Sequence, residues 1–310
     1  MRRLLRAALL ALAACAFLVE AKPLRVEQVA PGVYLHVGQH KDVEDGYDGD
    51  IANIGFIVGN DAVAVIDTGG SYAVGMALKE ALRAITQLPV RYLINTHVHP
   101  DHVFGNAAFI DATATEQRPQ IVAHARLPPA LTARREGYLR TLHKQLGDAA
   151  KGSVLIGPDR TVQDRLTLDL GGRKLTLTAW PAAHTDNDLT VFDAASGTLW
   201  TGDLLFIERT PALDGDIHGW LAATDTLQTM PAAIVIPGHG PLTRAKHPAL
   251  ARQHDYLSAL LADVRSGVKR GPGMTATMAT AAAAERGRWQ LFDAVNPRNV
   301  NYLYPRLEWE

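Results

Sequence analysis

The chain has 310 residues, of which 47% are hydrophobic and 20% are charged. A chain of this size and composition can bury the core of one large domain or of two closely packed halves. Its 31 Lys and Arg are matched by 32 Asp and Glu and are scattered along the sequence, which argues against nucleic acid as a partner. Beyond the N-terminus no apolar run is long enough to predict a membrane span.

Residues 1–21 have the features of an export signal. Three arginines lie among residues 2–6, and the apolar run 7–19 is too short to span a bilayer. Residues 19–21 present small side chains at the positions that a signal peptidase reads, so the sequence predicts one mature domain over residues 22–310.

A second interpretation of the same segment remains open. Residues 12–15, Leu-Ala-Ala-Cys, resemble a bacterial lipobox, in which Cys15 would become a lipidated first residue and anchor the protein. Both interpretations predict a periplasmic or otherwise exported protein.

Hydrophobic patterning predicts strands and helices in the first half of the mature chain. Residues 22–38 read as one or two strands with a turn at 31–32, and Ser71 is placed to cap a helix. The further predicted elements are a hairpin (54–58 and 62–66), that helix (71–86), a buried strand (90–94) and a surface helix (127–149).

The second half shows a similar order of hairpins and helices. Its predicted elements are two hairpins (166–170 with 174–179, and 189–192 with 198–201), a helix (219–230), a strand (233–236), a long helix (247–266) and an Ala-rich helix (275–284).

The segment 39–50 carries five acidic residues and one lysine, Lys41. Such a segment is typical of a solvated loop. The alternative is a mobile flap beside a functional site, whose negative field would disfavour anionic substrates.

The segment 97–102 reads His-Val-His-Pro-Asp-His. In an extended chain, side chains two residues apart point to the same side, so His97 and His99 can face one ion. Pro100 ends the strand and directs Asp101 and His102 back toward the same space. Imidazole nitrogen and carboxylate oxygen are ligands that zinc prefers, so the segment predicts a metal site.

Three further polar residues follow predicted strands. They are His184 in Ala-His-Thr, Asp203 in Gly-Asp and His239 in Pro-Gly-His-Gly. Taken singly, each is typical of a turn or a surface position. Together with residues 97–102 they supply the ligands that a second ion requires.

The order His-x-His-x-Asp-His, then His, Asp and His, resembles the metallo-β-lactamase superfamily over nearly the whole mature chain. The resemblance implies an α+β fold, a four-layer αββα sandwich, which agrees with the repeated hairpins and helices. It also implies a site for two zinc ions per chain. The implied ligands are His97, His99 and His184 for one ion, Asp101, His102 and His239 for the other, and Asp203 as the bridge between them.

Asp67, in Ile-Asp-Thr-Gly, is similar to the family's buried aspartate. The resemblance implies that it supports the ligand segment without being a ligand itself. The alternative is an aspartate that only caps a turn.

The implied chemistry is hydrolysis. A water held between two zinc ions loses a proton near neutral pH and becomes a nucleophile, while one zinc polarises the substrate oxygen. By resemblance, Asp101 is the catalytic residue that orients this water or relays its proton. The sequence contains no Gly-x-Ser-x-Gly elbow and no P-loop. We therefore expect a zinc-dependent hydrolase of a small ester, thioester or lactone.

Other functions remain open. The Thr-Gly-Asp around Asp203 is similar to thioesterases such as glyoxalase II, whereas β-lactamases of this fold generally carry Cys or Ser there. A β-lactam hydrolase is one alternative, and a persulfide dioxygenase with a single iron is another, because ligand spacing does not exclude iron. A third is a non-enzymatic metal-binding accessory protein.

Stretches outside the motif resemble the exported quinoprotein relay system zinc metallohydrolases. These stretches are residues 49–59, 214–215, 219–222, 298–300 and 307–310. The resemblance implies a functional link to a periplasmic quinoprotein dehydrogenase.

Two residues are candidate substrate contacts. Arg209, just beyond Asp203, is placed to meet an anionic group, or else to form a structural ion pair. His218 is a candidate as well, with a solvent-facing helix histidine as the alternative.

Overall fold

The computed structural model describes residues 24–42, 46–110, 118–271 and 273–310. The predicted export signal, its alternative lipidation site Cys15 and the predicted mature start all lie outside the described residues, and they stay predictions.

Within the described residues the first sheet has seven strands, which follow one another in space in chain order. The first four strands pair antiparallel, and the fourth to the seventh pair parallel. The strands are β1 (Glu27–Ala30), β2 (Val33–His36), β3 (Ile54–Val58), β4 (Val63–Ile66), β5 (Val90–Ile94), β6 (Gln120–His124) and β7 (Arg160–Val162).

The second sheet has five strands in the order β12-β11-β10-β9-β8. Only the β11–β12 pair is parallel. The strands are β8 (Arg165–Asp169), β9 (Lys174–Ala179), β10 (Leu189–Asp193), β11 (Thr198–Phe206) and β12 (Ile234–His239).

Helices cover the outer faces of both sheets. They are α1 (Tyr72–Ile85), α2 (Pro100–Val103), α3 (Asn106–Phe109), α4 (Leu127–Leu146), α5 (Ile217–Thr229), α6 (Lys246–Arg270), α7 (Met274–Thr280) and α8 (Phe292–Leu307). Short 3-10 segments lie at Gly147–Ala150 and Ala283–Arg288.

Three hydrophobic clusters show how the layers pack. Between the sheets lie Ile57 and Ile66 of the first with Leu177 and Trp200 of the second. A second cluster joins the first sheet to α1, and a third joins the second sheet to α5, α6 and α8. Helix, sheet, sheet and helix therefore follow one another, and the predicted αββα sandwich is confirmed.

Local sequence signals account for much of this arrangement. The side chain of Ser71 caps α1 by accepting a hydrogen bond from the backbone N–H of Val74, as predicted. The hairpin β3–β4 and the strand β5 also lie where the patterning places them. No helix among the described residues is long and apolar enough to cross a membrane.

The helix α8 was missed by the sequence reading. It contains Pro297 and Pro305, and proline in a helix interior removes a backbone hydrogen bond and ordinarily ends the helix. Burial of residues such as Phe292, Val300 and Leu303 against the second sheet's helices offsets this cost.

Candidate metal centre

The candidate ligands converge at one edge of the sandwich, where β4, β5, β9, β11 and β12 end or pass. The structure brings together two groups of side chains whose ligand atoms lie within 4.8 Å of one another. The first group is His97, His99, His184 and Asp203, and the second is Asp101, His102 and His239.

Asp203 lies between the two groups. Its Oδ2 is 3.7 Å from His97 Nε2, 3.3 Å from His184 Nε2 and 3.3 Å from His239 Nε2. Its Oδ1 is 3.2 Å from His102 Nε2. This one carboxylate therefore faces imidazoles of both groups.

The distances between Asp203 and the surrounding imidazole nitrogens suit atoms that bind the same metal ion better than atoms that form hydrogen bonds. Ligands about 2.0–2.1 Å from a tetrahedral ion lie roughly 3.3 Å apart, which is close to the separations around Asp203. His97 Nε2, His102 Nε2 and Asp203 Oδ1 are buried and have no hydrogen-bond partner. Buried polar atoms are rarely left unpaired, so their convergence is what a metal site requires.

The local backbone differs from the sequence prediction in two places. Residues 96–98 form a bend after β5, not an extended strand, and His99 returns to extended backbone before Pro100 begins the short helix α2. Asp203 lies inside β11, not after it. Gly202, at φ +51°, interrupts the pairing with β12 and redirects this part of the strand.

Backbone carbonyls hold two of the imidazoles in one tautomer. His184 Nδ1 donates to the Ala212 carbonyl at 2.7 Å, and His239 Nδ1 donates to the Ile51 carbonyl at 2.7 Å. With Nδ1 protonated, each Nε2 keeps its lone pair for an ion. Phe206 stacks on the His239 ring at 5.0 Å and provides an apolar wall behind it.

His99 uses the opposite nitrogen. Its Nε2 is 3.0 Å from Asp214 Oδ2, while its Nδ1 lies 3.0 Å from His184 Nε2 inside the first group. Asp214 also accepts a hydrogen bond from Arg134 Nη2 at 3.2 Å. The sequence reading missed both supporting residues, because only the fold brings α4 and the segment after β11 to the same place.

Asp67 is 1% exposed and lies directly after β4. Its carboxylate accepts from the Thr96 N–H at 2.8 Å and the Thr96 hydroxyl at 2.7 Å, and its Oδ2 is 2.8 Å from His102 Nδ1. Asp67 adopts φ +52°, a left-handed conformation that aspartate tolerates better than most residues. It touches the ligand segment and belongs to neither group of metal-competent residues.

Burial and charge set the protonation of the ligands. Burial lowers the pKa of His184 to about 3 and places that of His97 well below its usual value, so both imidazoles are neutral. Burial alone would raise the pKa of Asp203, but His239, His102 and His97 hold it well below its usual range. Neutral imidazoles and an ionised carboxylate are the forms that bind metal, so His97, His184 and Asp203 are in these forms. Against the effect of burial, Asp203 and neighbouring carboxylates raise the pKa of His102 and His239 above the usual value.

The two candidate substrate contacts lie in different places. Arg209 is 9% exposed, and its Nη1 donates to the Lys41 carbonyl at 3.1 Å. Its charge acts to lower the pKa of His239, a member of the second group. His218 is exposed on α5, 3.2 Å from Glu310 Oε1, and belongs to neither group, so its role as a substrate contact stays a prediction.

The acidic segment 39–50 is less negative than its composition suggests. Asp42 pairs with Arg298 at 2.8 Å, Asp48 with Lys41 at 3.2 Å, and Asp50 with His36 at 2.7 Å. Residues 43–45 lie outside the described residues. The prediction of a strongly negative field counted Lys41 but not Arg298, which lies far along the chain, or His36, which just precedes the segment.

Residues 47–239, more than half of the chain, match the sequence profile of the metallo-beta-lactamase superfamily. The chain belongs to this superfamily. Its members are mostly hydrolases, and the matched region ends at the last candidate ligand, His239. The helices α6, α7 and α8 lie beyond it.

Individual relatives are distant. The chain is 22% identical over 214 residues to a linear primary-alkylsulfatase of Pseudomonas sp. (strain ATCC 19151). This alignment covers 58% of the present chain and 40% of the alkylsulfatase. The chain superposes on the stereoselective inverting sec-alkylsulfatase Pisa1 of Pseudomonas sp. with a TM-score of 0.70 at 17% identity, over 91% of this chain and 50% of that one.

A shorter protein also has a similar fold. The DIM-1 metallo-beta-lactamase matches with a TM-score of 0.58 at 17% identity, over 77% of this chain and 99% of that chain. The present chain thus spans about half the length of the alkylsulfatases it matches, and these structural likenesses establish the fold alone.

Close backbone approach at the metal centre makes Gly238 sensitive to substitution. A Cβ at this position would lie 1.8 Å from Asp203 Oδ1 and 2.8 Å from the Asp203 backbone nitrogen. We expect Gly238→Ala to displace the Asp203 carboxylate and to lower metal content, measured by elemental analysis, to less than about half of wild type. Gly137→Ala on α4 is the matched control, because a Cβ there meets nothing within 4 Å. Equal metal content in both variants would contradict the expectation.

Proposed function

We propose that this protein is a dinuclear zinc hydrolase that cleaves a small ester, thioester or lactone. The observation that carries the proposal is the pair of ligand groups sharing Asp203, in which three buried atoms, His97 Nε2, His102 Nε2 and Asp203 Oδ1, converge without a hydrogen-bond partner. Nitrogen and oxygen donors of this kind suit zinc and do not exclude iron.

Two divalent ions bound here would supply Lewis acidity, which activates water and polarises the substrate oxygen. The protein's own contribution is to orient and to move protons. Asp101 is ionised, because His102 and His239 outweigh burial and hold its pKa well below the usual range. Its Oδ2 faces His102 and His239 at 3.5 and 3.3 Å, which leaves Oδ1 to orient the attacking water and accept its proton.

A sulfate ester is a second candidate substrate. The relatives that the chain resembles in sequence include a linear primary-alkylsulfatase, and Arg209 offers a cation whose charge acts on His239. Among the described residues no carboxylate forms an ion pair with Arg209, so its charge is available to an anionic group.

The charge of Arg209 leads to a prediction about selectivity. We expect Arg209→Gln to raise KM about tenfold for anionic substrates and to leave KM for neutral esters within about twofold, because a charge-assisted contact is worth roughly 1.5–3 kcal/mol. The difference should shrink at high salt. Arg298→Gln is the control, since Arg298 also holds the 39–50 segment through Asp42. Equal changes for both substrate classes in Arg209→Gln would mean that Arg209 only anchors this loop.

The substrate proposal is tested by a screen of the zinc-loaded protein. Carboxylate esters, thioesters, lactones, alkyl sulfates and a chromogenic β-lactam would be compared by kcat/KM. We expect an ester, thioester or lactone to lead. A dominant β-lactam signal would overturn the inference drawn from Asp203, and turnover of persulfides with one iron per chain would replace the hydrolase by a dioxygenase.

Two further parts of the proposal concern the protein's setting. We propose that the chain is exported to the periplasm by its N-terminal segment and that it acts with a periplasmic quinoprotein dehydrogenase. Mass spectrometry of the mature N-terminus in a bacterial host would distinguish cleavage after Ala21 from lipidation at Cys15. An intact Met1 would contradict export by this segment.

A further inference from the structure

The segment between β11 and α5 supports two of the candidate ligands from outside. Its Ala212 carbonyl accepts from His184 Nδ1 at 2.7 Å, and its Asp214 carboxylate lies 3.0 Å from His99 Nε2. The Asp214 N–H donates in turn to the His184 carbonyl at 3.0 Å. We call residues 210–214 the support loop. Its position therefore sets the orientation of two imidazoles at once.

The helix α8 holds this loop through Asn299, which is 2% exposed. Asn299 Nδ2 donates to the Pro211 carbonyl at 2.7 Å and to the Tyr256 hydroxyl at 2.8 Å, while Oδ1 accepts from the Leu213 N–H at 2.9 Å. Asn299 thus bonds to the backbone on both sides of Ala212, the residue whose carbonyl orients His184.

A second contact from the same helix lies one turn further on. Tyr302 donates from its hydroxyl to the Gly215 carbonyl at 3.1 Å, just beyond the support loop. Residues three apart share a helix face, so Asn299 and Tyr302 form one polar edge of α8. This edge lies outside the region 47–239 that matches the superfamily.

We propose that α8 is part of the metal centre and that Asn299 is a positioning residue for the first ligand group. By fixing the support loop, Asn299 aims the Ala212 carbonyl at His184 and the Asp214 carboxylate at His99. Partners of this kind hold the tautomer and the ring orientation of a ligand, and losing one typically costs 10–100-fold in metal affinity. The inference rests on the proposed metal function.

The test uses the full chain loaded with Co²⁺, which reports ligand geometry through its visible absorption. In Asn299→Ala we expect about tenfold weaker binding at one of the two ions in a chelator competition, together with an altered cobalt spectrum. Val300→Ala on the same helix is the control, because Val300 is fully buried and contributes no side-chain hydrogen bond to the loop. This control should lower Tm yet keep wild-type affinity and spectrum.

Tyr302→Phe covers the case in which Asn299→Ala does not fold. It removes one hydrogen bond beside the support loop with little loss of packing, and we expect a two- to threefold loss of affinity at the same ion. Wild-type affinity and spectrum in every folded variant of Asn299 and Tyr302, or equal changes in Val300→Ala, would overturn the proposal. A wild-type protein that binds no cobalt would instead overturn the metal function on which it rests.

Discussion

Replacing His99 or Asp203 with Ala is expected to abolish hydrolysis and to lower metal content while the fold survives. Metal ions contribute several kcal/mol of transition-state stabilisation. Because each 1.4 kcal/mol changes the rate about tenfold, we expect kcat/KM to fall by about a thousandfold or more. The hydrophobic layers between and outside the sheets supply most of the stability. The measurements are kcat/KM, elemental analysis and thermal unfolding.

His254→Ala is the matched control for this experiment. His254 lies on α6 and belongs to neither ligand group, so the control should keep wild-type metal content and turnover. Wild-type turnover in His99→Ala or Asp203→Ala would show that the ligand assignment is wrong.

Asp67→Ala should cost about 3 kcal/mol in the free energy of unfolding and should also weaken metal binding. The substitution leaves the N–H and hydroxyl of Thr96 and the Nδ1 of His102 buried without their acceptor. It also places Ala at φ +52°, where a Cβ is disfavoured. Urea unfolding with and without added zinc measures both effects.

An exposed aspartate provides the comparison for Asp67. Asp48→Ala removes an ion pair with Lys41 at the surface, where such pairs are worth at most about 1 kcal/mol. If Asp67→Ala were as stable as Asp48→Ala and bound metal as wild type does, Asp67 would be only a turn residue.

The sequence was sufficient for the fold class and for the positions of most strands and helices. Hydrophobic alternation marked the hairpins, and Ser71 marked the start of α1, because these signals act within a few residues of the chain. The candidate ligands could also be predicted from the sequence, because residues 97–102 concentrate histidine and aspartate in one short segment.

The parts that sequence reasoning missed depend on distant contacts. Asp214 and Arg134 are 80 residues apart, and neither carries a local pattern that predicts their pairing beside His99. Helix α8 was not predicted because it contains two prolines, and the role of Asn299 was therefore missed as well. The ion pair of Asp42 in the 39–50 segment was also missed, because its partner Arg298 lies 256 residues further along the chain.

The two groups of ligands that share Asp203 are expected to bind two zinc ions together. Elemental analysis of the purified, zinc-reconstituted protein, combined with turnover during stepwise removal of metal by a chelator, tests this claim most directly. We predict close to two zinc ions per chain and activity that falls with metal content and returns on adding zinc. About one iron per chain, or hydrolysis that persists after all metal is removed, would contradict the claim.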